Sequence, residues 1–125
     1  MKNLGRGILL IVITLVFAIG PALHAAGDSY AALAYSPSTG RWGYGNGYPT
    51  RAQATTRALA ECGQSDAVTK WCKNAWIALA LSDKSPGGYG WAWATTASAA
   101  RSRALRECRA RNPDAHIVTC VSAFR

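Results

Sequence analysis

The chain has 125 residues, half of them hydrophobic, with 14 Lys and Arg against 6 Asp and Glu and a formal net charge of +8. That length excludes more than one domain once a leader is set aside. A positive excess of this size suits anionic polymers, lipid headgroups or acidic proteins as partners, and serves solubility equally well.

The first element is a targeting segment. Lys2 and Arg6 precede a twelve-residue apolar run at 8–19, and "GPALHAAG" then breaks the helix and supplies small residues for cleavage. Twelve apolar residues fall short of the roughly 20 that span a bilayer. Residues 1–26 are therefore read as a signal peptide cut after Ala25 or Ala26, and residues 27–125 as one exported domain, periplasmic or secreted. No cysteine stands at the cleavage site, which argues against a lipid anchor. Loss of Lys2 and Arg6 leaves the mature domain at +6.

The next elements come in two rounds. "SYAALAYS" predicts a short apolar strand, "PSTG" a turn and "RWGYGNGY" a second strand forming a hairpin with the first. Thr50 is placed as a helix N-cap with Gln53 three residues on, a capping-box pattern. The helix runs to about Cys62 and stops at Gly63. "KWCKNAWIALALS" closes this unit and opens the next. "DKSPGG" is the second turn, Thr96 the second N-cap, Asn112-Pro113 the second stop, and "HIVTCVSAF" the last strand.

The rounds are copies. At a shift of 46, residues 31–36 fall on 77–82, and "RALAEC" at 57–62 falls on "RALREC" at 103–108. The glycine-aromatic phrases align at a shift of 45, Tyr44 on Tyr89 and Gly45 on Gly90. The repeat units span about 30–75 and 76–124. The fold class expected is α+β: duplicated ββαβ-type units giving one mainly antiparallel sheet of about five strands, two helices on one face and two disulfides. Cys62–Cys72 and Cys108–Cys120 is the pairing that respects the duplication locally. Cys62–Cys108 with Cys72–Cys120 is the symmetric alternative. Two disulfides suit a small exported chain. The cysteine spacing contains no C-x-x-C, so no metal is expected.

Alternation puts Leu33, Tyr35, Trp42, Tyr44, Ile77, Leu79, Leu81, Tyr89, Trp91 and Trp93 on one face of the sheet and Ala or Gly on the other. Neither face is polar, unlike a half-exposed antiparallel sheet. Two readings stay open: aromatics packed under the helices with a thin solvated Gly/Ala surface, or one face docking a partner or a second copy. The inward helix stripes are Ala54, Ala58, Leu59, Cys62 and Ala100, Ala104, Leu105, Cys108. Trp42, Tyr44, Tyr89, Trp91 and Trp93 are the aromatic binding candidates. Arg103, Arg106 and Arg109, flanked by Arg101 and Arg111, form a basic helix face that is either solvated or suited to phosphate and carboxylate groups.

No catalytic set is legible. His24 leaves with the leader, so His116 stands alone, and no G-x-S-x-G nominates a serine. Glu61 and Glu107 are repeat-equivalent and read as partners of Arg. No cofactor is expected.

"YAALAYSPSTGRWGYGNGYPTRAQATTRALAEC", the second "ALREC" and the late "VTC" resemble a small exported bacterial domain of unknown function, family 4189, from Tyr30 to Phe124. The resemblance implies an exported, disulfide-bonded module and transfers no catalytic residue. Together these features favour a non-enzymatic binding module for an unknown protein, of inhibitor or immunity type or a secreted interaction protein. The competing readings are a cationic binder of anionic polymer or lipid surfaces, a cell-wall enzyme, and a homodimer. Nucleic acid is disfavoured, since no reader motif is present.

Overall fold

The computed structural model describes residues 27–84 and 88–124. The predicted signal peptide and its cleavage site lie outside the described residues, as does the middle of the second turn.

The element order is β1 (Tyr30–Tyr35), β2 (Trp42–Tyr48), α1 (Arg51–Cys62), β3 (Val68–Lys73), β4 (Trp76–Leu81), β5 (Tyr89–Ala94), α2 (Ala97–Arg109) and β6 (His116–Ser122). Both helices start where the hydroxyl of a threonine can take an orphan N–H. Thr50 accepts from the Gln53 amide at 3.2 Å, and Thr96 from Ala99 at 3.2 Å. The Gln53 side chain accepts from the Thr50 hydroxyl at 3.1 Å, so the box closes through side chains. Gly63, at φ 67°, ends α1 by donating to the Leu59 carbonyl. Beyond α2, the Asn112 amide bonds back to Cys108 just before Pro113 stops the chain from continuing.

The expected single sheet of about five strands with both helices on one face is corrected. Six strands form two antiparallel three-stranded sheets, in the orders β2-β1-β3 and β5-β4-β6. The break falls at Asn74. This residue sits at φ 52°, takes the Ser29 amide on its side-chain oxygen at 2.8 Å and donates to Asp28 at 2.9 Å. It turns the chain out of the first sheet and into the second, so β3 and β4 never pair.

The sheets pack face to face, β1 against β4, β2 against β6 and β3 against β5, as a two-fold rotation would place them. Each helix covers the outer face of its own sheet, giving four layers: helix, sheet, sheet, helix. Between the sheets lie Leu33, Tyr35, Ile77, Leu79 and Val121. The rings of Tyr35 and Tyr89 meet there at 4.7 Å. The Gly/Ala face, read as solvated in one of the two expectations, is the face that receives the helices. A Cβ on Gly43 would stand 2.4 Å from the Cys62 amide nitrogen, and one on Gly90 at 2.4 Å from that of Cys108. Glycine is required because the helix backbone lies directly on the strand. The central strands β1 and β4 are covered on both sides, which is why both read as unbroken apolar runs. The expected helix stripes are buried at Ala54, Ala58, Cys62, Ala100, Ala104 and Cys108, but Leu59 is exposed and Leu105 half-buried.

The four cysteines are free thiols, against the two expected disulfides. Placement explains it. Cys62, the last residue of α1, packs against the outer face of the first sheet, while Cys72 faces the inter-sheet core. Cys108 touches the Gly88 carbonyl near the end of α2, whereas Cys120 lies against the Ala97 carbonyl at its start. Cys72 and Cys120 are not repeat-equivalent. Cys72 pairs with Ala31 and Cys120 with Ala78, so the counterpart of Cys120 is Trp71 and that of Cys72 is Val121. A slip of one residue moves a side chain to the other face of a sheet.

The glycine phrases also align differently from expectation. Gly43 opposes Ala34 and Gly90 opposes Ala80, a shift of 47. Tyr44 therefore corresponds to Trp91, not Tyr89. The second hairpin loop, closed by Ser82 and Gly88, is one residue longer than the first, closed by Ser36 and Arg41. A bulge in β2 between the pairs of Tyr30 and Ala31 then restores the shift of 46 at the helix.

Candidate binding site

The sandwich has two side seams, and they differ. At the β2–β6 seam, bulge residue Gly47 (φ 74°) donates to the Ala123 carbonyl at 3.1 Å and the Asn46 side chain to the Ser122 carbonyl at 3.2 Å. Ala123 is further held by Ala75 and by the Ser29 hydroxyl. Hydrogen bonds thus close this seam.

The β3–β5 seam is open and carries two clefts that share Lys70. One, of about 490 Å³, is lined by Lys70, Gly88, Tyr89, Gly90, Trp91, Glu107 and Arg111. The other, of about 560 Å³, runs along β3 past Thr69, Lys70, Trp71, Cys72 and Lys73 to Trp93. Tyr89 packs into the core, Trp91 is half-buried with its ring edge-on to Tyr89 at 5.6 Å, and Trp93 is 49% exposed. The three side chains share a face because they alternate along β5. Trp71 projects to the outer side of β3. There it meets Tyr30 at 6.0 Å and the Arg51 guanidinium at 5.0 Å, a cation–π contact.

The charges in the first cleft are unneutralised. Among the described residues, Lys70 and Glu107 make no ion pair. Lys73 is paired with Asp28 at 3.3 Å. The corresponding groove in the first unit, about 450 Å³ beside Tyr44, Asn46, Tyr48, Arg57 and Glu61, is neutralised within itself, since Arg57 reaches Glu61 at 2.7 Å. The expected Arg partnership of the two equivalent glutamates therefore exists for Glu61 alone. Arg103, the counterpart of Arg57, turns instead to the Trp93 carbonyl at 3.2 Å, and Arg111 to the Tyr89 carbonyl at 2.6 Å.

The sequence candidates thus separate. Tyr89, Trp91 and Trp93 come together at the open seam. Trp42 and Tyr44, stacked at 6.4 Å, belong to the closed one. Arg106 and Arg109 stay on the exposed face of α2, while Arg103 and Arg111 are drawn to the β5 edge. Lys70 was missed by the sequence reading. Its signal was its place in "VTKWCK", two residues from Cys72 and so on the same inward face.

Outside the seam, each unit carries a serine–aspartate clasp. The buried Ser36 hydroxyl donates to Asp66 at 2.6 Å, and Ser82 to Asp114 at 2.8 Å. These bonds hold both carboxyls below the usual range, Asp66 through Ser36 and Ser38 and Asp114 through Ser82. His116 lies 3.3 Å from Asp83. Ser82 donates to Asp114, and the first unit repeats the clasp with no histidine, so it ties a hairpin turn to the following loop. Burial pushes the Cys72 thiol up to about 11 and raises Cys108 and Cys120, the opposite of an activated nucleophile. Among the described residues no group of three or more His, Cys, Asp or Glu could hold a metal ion, and no helix is long and apolar enough to cross a membrane.

Protein Rv1269c and Protein MT1307 of Mycobacterium tuberculosis, and Protein Mb1300c of Mycobacterium bovis, are each 42% identical to this chain over 66 residues. The stretch covers 52% of this chain and 52% of theirs, so the chain spans about half the length of the curated relatives it matches. No solved structure matches it. The family model described as Domain of unknown function (DUF4189) matches residues 30–121, most of the chain, and the protein belongs to that family.

Proposed function

We propose that the chain is an exported, non-enzymatic binding module that meets its partner at the β3–β5 seam. One observation carries this reading: the half-exposed Trp93 stands beside a cleft whose Lys70 and Glu107 lack ion-pair partners, while the opposite seam is closed by hydrogen bonds. Tryptophan is among the residues most enriched at interface hot spots, and the unpaired charges beside it offer a partner groups to satisfy. The raised thiols and the clasped serines support a non-catalytic role. The runner-up is a cationic binder using Arg106 and Arg109 on α2.

Affinity capture separates the two. Wild-type protein, Trp93→Ala/Lys70→Glu and Arg106→Ala/Arg109→Ala are immobilised and exposed to envelope extract and culture medium at physiological salt. The seam reading expects a partner retained by wild type and the α2 variant and absent from the seam variant. Retention by the seam variant and loss from the α2 variant would transfer the role to the arginine face.

A further inference from the structure

We infer that the open seam binds an acidic oligosaccharide, its sugar rings lying on Trp91 and Trp93 and its carboxylates reaching Lys70 and Arg111. The inference rests on the seam being the binding surface and names the ligand chemistry.

The two grooves overlap at repeat-equivalent positions, Tyr44 with Trp91 and Glu61 with Glu107, and there act as mutual controls. In the first unit, Arg57 neutralises Glu61, and no side chain of β6 supplies a cation at the counterpart of Lys70, which is Thr119. At the second unit's groove, Glu107 and the lysine that β3 of the first unit brings across the seam, Lys70, are both left without an ion-pair partner in one cleft. Two opposite charges that share a cleft and do not reach each other ask for a ligand that serves both. A sugar acid does so. Its carboxylate takes Lys70 and the guanidinium of Arg111, which keeps donors beyond the Nη2 bonded to Tyr89. Its hydroxyls donate to Glu107. Its ring C–H faces suit the indole planes of Trp91 and Trp93, which follow one another about 7 Å apart along the strand.

A peptide fits less well. An added strand would need the free edge of β5 or of β3; on β5, Arg111 and Arg103 already occupy the carbonyls of Tyr89 and Trp93, and β3 carries Lys70 and Lys73. Charged side chains on an edge block strand addition. An acidic peptide would thus be left with charge alone, which the exposed tryptophans do not serve.

The test uses hexagalacturonate, its methyl-esterified neutral form and a hexaglutamate peptide, read by tryptophan fluorescence and calorimetry. Hexagalacturonate is expected to perturb the fluorescence and to bind at least about tenfold more tightly than either control. Trp93→Ala and Lys70→Ala should each weaken it by about tenfold, the loss typical of a hot-spot residue, while Arg106→Ala/Arg109→Ala binds as wild type. Trp93 is half-exposed, so its variant keeps the fold, checked by circular dichroism. Equal binding of hexaglutamate, insensitivity to Trp93→Ala, or no binding of hexagalacturonate would each overturn the inference. If the sugar fails while the seam variant still loses a captured partner, the ligand class falls and the binding-module reading stands.

Discussion

The two halves of this molecule are built from one plan and differ where one face of the sandwich meets the other. Both have a hairpin, a threonine-capped helix lying on glycine, and a serine–aspartate clasp. Only β2 has the Gly47 bulge, and its amide closes one seam. Unit two has no residue equivalent to Gly47, carries Trp93 where unit one has Asn46, and has an open seam. Duplication therefore supplied the scaffold, while small register changes supplied the difference that a site needs. The large-residue face, for which a partner or a second copy was one of two expected covers, is covered by the other half of the same chain.

The largest expected effects test the shared plan. Gly43→Ala and Gly90→Ala each drive a Cβ to 2.4 Å from helix backbone, and urea unfolding should show a loss of ~3 kcal/mol or more for both. A mild Gly90→Ala would mean that α2 sits less tightly than α1. Gly47→Ala probes the asymmetry. Forcing a side chain into φ 74° should cost about 1–2 kcal/mol in the same assay, with no counterpart in the second unit.

The cysteines sharpen the comparison chemically. Unreduced protein in denaturant should titrate four thiols, and in the native state Cys72 should react slowest, being buried with a thiol at about 11. Finding two disulfides would overturn the free-thiol state, and peptide mapping would tell the local pairing from Cys62–Cys108 with Cys72–Cys120. The clasps predict acid behaviour. Asp66 and Asp114 are held below the free carboxyl value of 3.8, so their contribution is full above that pH and is lost as pH falls through the lower folded values. Asp66→Asn and Asp114→Asn should each flatten the acid limb of the stability profile. Glu61→Gln should cost no more than about 0.5 kcal/mol because the pair is half-exposed, and the smallest effect on stability is expected for Glu107→Gln, which has no such pair to lose.

The local elements were legible because local chemistry sets them. Thr50, Thr96 and Gly63 announce helix ends in a few residues, and the alternation of Leu33 and Tyr35 with Ala32 and Ala34 announces two unlike faces. The binding candidates were half legible. Trp91 and Trp93 stood out by type, but Lys70 is an ordinary strand lysine until β5 is laid against β3. Arg103 and Glu107 looked like copies of Arg57 and Glu61 until the edge carbonyl of Trp93 took the arginine away.

What the sequence by itself determined is the unit: strand, turn, strand, capped helix, strand, written twice. Short-range hydrogen bonds and side-chain periodicity decide those. What only the tertiary structure decided is how the units meet. One sheet or two, which face is core, which cysteine faces where and which seam stays open all depend on strand pairing across distant residues. There, one inserted residue in a loop or a bulge exchanges the faces, and composition carries no trace of it.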